Sequence, residues 1–96
     1  MAIYKITVKK AFEPGRIVST SAAKEAVPEP EMFQAISRHL LGDWGDVSEA
    51  DRSANEYALW NELRLISSYH TKNNVKYSII TEADRSATTV LLPDEY

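Results

Sequence analysis

The chain opens on an alternation. Tyr4, Ile6 and Val8 take turns with Lys5, Thr7 and Lys9, a period of two that predicts a half-buried strand over residues 3–9. Pro14-Gly15 is a turn pair, because proline presets φ and glycine accepts a positive φ. Arg16-Ile17-Val18-Ser19 predicts a second short strand, and Thr20 or Ser21 can cap a short helix over residues 22–26 that Pro28 stops. The period then changes. Met32, Phe33, Ile36, Leu40 and Leu41 fall at helical spacing behind Pro30. Glu29 and Glu31 sit at the positive end of that helix, and Gly42 is its expected stop.

Ser48 reads as the N-cap of a third helix over about residues 49–62, with Asp51 at the third position as a capping-box variant. Ala50, Ala54, Tyr57, Ala58 and Asn61 share one side of it, and Trp60 and Leu63 extend the apolar arc. The last third is β. Residues 65–71 and 75–81 flank Asn73-Asn74, which predicts a two-residue hairpin with Tyr77 opposite His70 and Ile80 opposite Ser67. Residues 88–92 form a last strand, apolar enough to lie centrally or under a helix, and Pro93 ends it. The expected fold is a single α+β domain over residues 1–96. Its small antiparallel sheet combines the N-terminal strand, the C-terminal hairpin and the last strand, under two or three helices.

A length of 96 residues fits one domain, and 44% hydrophobic with 26% charged residues is ordinary for a globular chain. No apolar run approaches the roughly 18 residues of a membrane span, and no signal-peptide pattern appears, so a soluble, cytoplasmic protein is expected. The absence of cysteine excludes disulfides, thiolate zinc sites and cysteine nucleophiles. Charge is uneven. Residues 1–24 hold five bases against one acid, residues 25–62 hold nine acids against two arginines, and the remainder is balanced. An acidic middle disfavours phosphate contacts and hence direct nucleic-acid binding. It suits either docking of a basic partner or a solvated helix surface. Lys5 and Lys9, on one side of the first strand, read as guards of a sheet edge.

Two polar connectors are the candidates for chemistry. Asp43-Trp44-Gly45-Asp46 offers two carboxylates for a divalent cation or a basic partner, with Trp44 as an anchor. The alternative is that the aspartates cap nearby N–H groups while Trp44 folds onto the core. In residues 81–89, Glu82 or Asp84 suits a general base and Arg85 an anion clamp. The alternative there is a turn closed by Asp84, with Arg85 paired to a neighbouring carboxylate. Convergence of Asp43, Asp46, Glu82 and Asp84 would make a metal-dependent phosphodiesterase or hydrolase conceivable. His39 and His70 are too few and too separated to signal a metal site. His39 is expected to flank the apolar stripe of the second helix, and His70 to face a cross-strand neighbour. No phosphate-cradling glycine loop, nucleophile elbow or His-Glu-x-x-His pattern occurs. The hexapeptide Glu-Ala-Asp-Arg-Ser-Ala appears at residues 49–54 and again at 82–87, once opening a helix and once joining two strands, which reads as coincidence. Ser48 or Thr81, three residues before an Asp, can cap backbone N–H groups in both places.

The closing block Ile80-Thr81-Glu82-Ala83-Asp84-Arg85-Ser86, continuing through Leu91-Leu92-Pro93 to Glu95-Tyr96, resembles a family of small bacterial proteins labelled plasmid-related. Gly42-Asp43-Trp44-Gly45, the Arg64-Leu65-Ile66-Ser67-Ser68-Tyr69 stretch and the opening Phe12 to Thr20 are similar to the same family, so the resemblance covers about residues 12–96. The chain departs from that pattern at Glu13-Pro14-Gly15, where Pro-Leu-Gly is usual, and at Ser78, where a bulky aromatic is usual; residues 1–10 look like an addition. The resemblance implies carriage on mobile elements and no established activity. By association, small acidic proteins of plasmids and phages often bind host defence machinery, including CRISPR effectors.

The expectation is therefore a non-catalytic binding protein, with an anti-defence inhibitor of the anti-CRISPR kind as one form of it, that engages another protein or a protein–nucleic-acid complex through Asp43, Trp44, Asp46, Glu49, Glu56, Glu82, Asp84 and Arg85. No cofactor, bound metal or membrane contact is expected, and a homodimer is an option. A metal-dependent hydrolase and a toxin–antitoxin component are the alternatives.

Overall fold

Period-two patterning puts Ile17 and Ser19, Tyr69, Tyr77 and Ile79, and Val90 on one face of a sheet, and all six are buried. The structure, a computed structural model, describes residues 2–4 and 10–95. Its strands are β1 (Ala2–Tyr4), β2 (Arg16–Ser19), β3 (Leu65–His70), β4 (Lys76–Thr81) and β5 (Ala87–Leu91). Its helices are α1 (Ser21–Ala26), α2 (Glu29–Leu40) and α3 (Glu49–Asn61), and a 3-10 turn follows at Pro93–Glu95. The strands form a five-stranded sheet in the order β1-β2-β5-β4-β3, an α+β fold.

The sheet is mixed, which corrects the expectation of a purely antiparallel one. β2 inserts between β1 and β5 and runs parallel to β5, while the other three pairs are antiparallel. Alternation identifies a strand but carries no information about its direction, and β2 reaches β5 only through the helices between them. The last strand is central, as its apolar run predicted. Of the predicted first strand, β1 covers residues 2–4 and lies at one margin of the sheet. Residues 5–9, with Lys5 and Lys9, lie outside the described residues.

The C-terminal hairpin also departs from expectation. Tyr77 faces Tyr69, His70 faces Lys76 and Ile80 faces Ile66, one residue off the predicted register. The cause is the loop. Thr71 N–H donates to the Val75 carbonyl at 3.0 Å, which leaves three residues at the tip, with Asn74 left-handed at φ 66°. Three-residue hairpin loops place their left-handed residue there, and asparagine tolerates it.

α1 and α2 cover one face of the sheet. Ala23, Val27, Met32, Ala35, Ile36 and Leu40 pack with Ile17, Tyr69, Tyr77, Ile79 and Val90 in the main core. Thr20 caps α1 by accepting from Ala23 N–H at 3.1 Å. It also donates to Glu95 at 2.7 Å, which fastens the C-terminal turn to α1. Leu41, placed on the α2 stripe by spacing, is the C-cap and is exposed. A smaller cluster of Trp44, Ala58 and Leu65, with Phe12, Val47 and Leu59 against it, seats α3 beside β3. Among the described residues no helix is long and apolar enough to cross a membrane.

Candidate partner-binding surface

The connector Gly42-Asp43-Trp44-Gly45-Asp46 folds as a structural clasp. Trp44 is completely buried, so it is core and not a surface anchor; its indole N–H donates to Glu56 Oε1 at 3.0 Å. Asp43 pairs with Arg38 at 2.7 Å and accepts from Gly45 N–H at 3.2 Å. The Arg38 hydrogen bond holds the Asp43 carboxyl below its ordinary range and raises the guanidinium in return. Arg38 also lies 4.9 Å from the centre of the Tyr69 ring, whose hydroxyl donates to the Asp43 carbonyl at 2.6 Å. Asp46 N–H donates to the Ser68 carbonyl, and Ser68 N–H donates to the Trp44 carbonyl. The connector therefore pairs with the outer margin of β3.

Asn55 completes that margin from α3. Its side-chain amide donates to the Ile66 carbonyl at 2.7 Å and accepts from Ile66 N–H at 3.0 Å, as a strand residue would. Backbone groups of Ile66 and Ser68 that point away from β4 are thus satisfied, and β3 is not an open edge.

The second polar connector is a β4–β5 turn. Asp84 accepts from Ser86 N–H at 3.0 Å, and hydrogen bonding from the Ser86 side chain and backbone holds its carboxyl below the usual range. Arg85, left-handed at φ 60°, pairs with no carboxylate among the described residues. Its guanidinium donates to the carbonyls of Leu63, Ala58, Glu82 and Ala83 at 2.7–3.2 Å, closing the C-terminal end of α3. Glu82 pairs with Arg64 at 3.2 Å. Thr81 caps no N–H group here, unlike Ser48, which accepts from Asp51 N–H at 3.1 Å.

Each carboxylate of the two connectors has a different partner. Among the described residues no three His, Asp or Glu side chains come together to hold a metal ion. His70 Nδ1 meets Asp46 at 2.9 Å.

One buried polar chain was missed by spacing altogether. His39 is completely buried, with Nδ1 on Ser67 Oγ and Nε2 on Thr81 Oγ1 at 2.8 Å. Thr81 Oγ1 meets Thr88 Oγ1 at 2.7 Å, and Thr88 donates to the Pro14 carbonyl at 2.8 Å. A carbonyl only accepts, so the protons are assigned from that end as far as His39 Nε2–H, and burial keeps the ring neutral with Nδ1 bare. Thr88 accepts from Thr81, Thr81 accepts from His39 Nε2–H, and the bare Nδ1 accepts from the Ser67 hydroxyl. Ser67 and His39 thus have the bonding of an activated nucleophile, but both are 0% exposed, out of a substrate's reach while the core is closed. Phe12 and Trp44 meet the ring at centroid distances of 5.4 and 5.6 Å.

α3 is where the surface becomes unusual. Only Asn55 and Ala58 are buried along it. Tyr57 and Trp60, expected on the apolar arc, are 63% and 82% exposed, and Leu63 just beyond is 48% exposed. Asn55, Ala58 and Leu59 fill the seat against β3, and helical geometry turns Tyr57 and Trp60 outward with Glu49, Ser53 and Glu56. Glu49 and Glu56 share this outward face with the two rings, and Arg52 is the only base between residues 49 and 62; it pairs with Glu49 at 3.5 Å. A scan against protein-family models finds no match, and searches of curated proteins and of solved structures find none either.

Proposed function

We propose that the protein is a non-catalytic binding protein of a mobile element, and that the outward face of α3 engages a basic macromolecular partner. The observation that carries this reading is a tryptophan 82% exposed beside a tyrosine 63% exposed on an acidic helix. Trp and Tyr are the residues that anchor interfaces, and an exposed pair has surface to gain by being covered. The surrounding carboxylates steer positive potential toward the rings and add specificity more than affinity. Host defence complexes present basic grooves where nucleic acid is held, so they are the first partner class to test, in keeping with the resemblance to plasmid-related proteins.

Of the residues first expected to bind, Glu49 and Glu56 belong to this face. Asp43, Trp44, Glu82, Asp84 and Arg85 have structural partners instead. Glu56 also holds the Trp44 indole, so its charge reversal mixes binding with folding. The clean test is the double variant Tyr57→Ala/Trp60→Ala. It should keep the wild-type melting temperature and lose a partner that wild type captures from host lysate, with wild-type capture weakening at high salt. Retention of that partner by the double variant would overturn the assignment. Growth arrest on expression of the chain alone would favour a toxin instead.

A further inference from the structure

On the sheet face turned away from α2, Ser68 and Ser78 stand directly opposite each other on β3 and β4. Both are buried, at 7% and 2% exposure. Ser68 Oγ is the one buried side-chain polar atom without a hydrogen-bond partner among the described residues. An orphaned hydroxyl inside a fold is destabilising and calls for an occupant. Ser68 lines a cavity of about 280 Å³ that opens to solvent.

The lining divides by charge. Asp46, Ser48 and Asp51 come from the connector and the first turn of α3, on one side of β3. Lys76 and Ser78 come from β4, on the other side. Ser68 lies between them on β3. Asp46 shares one carboxylate oxygen with His70, whereas Asp51 and Lys76 make no ion pair among the described residues. Apolar lining is confined to Val47 and Pro93, so no aromatic platform or greasy slot is offered.

We infer that this cavity is a binding site for a small zwitterion of the α-amino-acid class. The ligand's ammonium lies toward Asp46 and Asp51, its carboxylate toward Lys76, and the Ser68 and Ser78 hydroxyls lie beneath it. A simple anion would face two carboxylates, and a simple cation would face Lys76; a ligand carrying both charges meets neither penalty. The volume is near the lower end of ligand pockets, which limits the occupant to a few heavy atoms. The site lies on a different surface from Trp60 and stands independently of the partner proposed there.

The test is a titration of the full chain, labelled for amide NMR, with glycine and L-serine into the millimolar range. Glycinamide keeps only the ammonium, N-acetylglycine only the carboxylate, and glycerol only hydroxyls. Saturable shifts at Ser68, Ser78 and Asp51 with the two amino acids are expected, with at least tenfold weaker binding of the three controls. Asp51→Asn and Lys76→Gln should each weaken glycine at least tenfold while keeping the fold, since the Ser48 cap uses the Asp51 backbone. Ser68→Ala should abolish binding and raise the melting temperature of the free protein. Equal binding of glycinamide or glycerol, wild-type affinity in either charge variant, or no saturable shift at all would overturn the assignment, the last leaving water as the partner of Ser68.

Discussion

His39 Nε2 lies 2.8 Å from Thr81 Oγ1 and donates to it, and complete burial keeps the ring a neutral imidazole in the middle of the core. Burial pushes its pKa from 6.5 down to about 3. The unfolded chain therefore accepts a proton that the folded chain refuses. Between about pH 6.5 and pH 3 the unfolded state binds more protons, so stability falls as pH falls. The His39 contribution is complete above about pH 6.5, and roughly 2 kcal/mol should be lost between about pH 7 and pH 5. Urea midpoints across that range measure it. His39→Gln should flatten this part of the profile, and an unchanged slope in that variant would assign the effect elsewhere.

Asn55 supplies the β3 margin with a side chain in place of a strand. Asn55→Ala removes both bonds to Ile66 at once, and the loss should be about 1–3 kcal/mol. It also frees one donor and one acceptor on β3 for another chain. Sedimentation should therefore show concentration-dependent association in the variant, absent from wild type.

Gly45 and Gly42 both have positive φ, at 74° and 83°, yet they should respond differently to alanine. At Gly45 a Cβ would sit 2.6 Å from the Tyr69 ring and closer still to the Ser68 carbonyl oxygen. At Gly42 its nearest neighbour is Trp44 at 3.9 Å. Gly42→Ala should cost about 1 kcal/mol from backbone conformation alone. Gly45→Ala must also break the Gly45–Ser68 bridge and should cost several times more in thermal or urea unfolding.

Arg85 closes α3 by donating to four carbonyls, a geometry that the planar guanidinium matches and an ammonium does not. Arg85→Lys should keep the charge and still destabilise the protein, by about 1–3 kcal/mol. Hydrogen exchange should rise first at Ala58–Leu63, at the end of α3. Uniform exchange across the chain would argue against a local closing role.

Much of the architecture was legible because local rules decide it. Ser48 caps α3, Thr20 caps α1, and alternation along β4 puts Tyr77 and Ile79 on the face that meets the main core. What sequence missed depends on partners distant along the chain. The direction of β2 is set by β5, and the exposure of Trp60 by α3 having only the margin of β3 to lean on. Arg85 looked like an anion clamp because the Ala58 and Leu63 carbonyls that engage it, at and just beyond the end of α3, lie more than twenty residues away along the chain. His39 carried one signal in advance, a polar position beside the apolar α2 stripe, but Ser67, Thr81 and Thr88 gave no pattern that would join them to it.

The imidazole also acts as a proofreader of the hairpin beneath it. If the tip closed with one residue fewer, bringing Thr71 opposite Asn74, β4 would slide by one position and turn over. Ile80 would then meet the ring where Thr81 now stands, and a hydroxyl-seeking nitrogen would be left against a methyl. A histidine on a helix thus adds its own penalty against a wrong length of a loop more than thirty residues downstream, beside the cost of drawing Lys76 and Ser78 into the core in place of Tyr77 and Ile79.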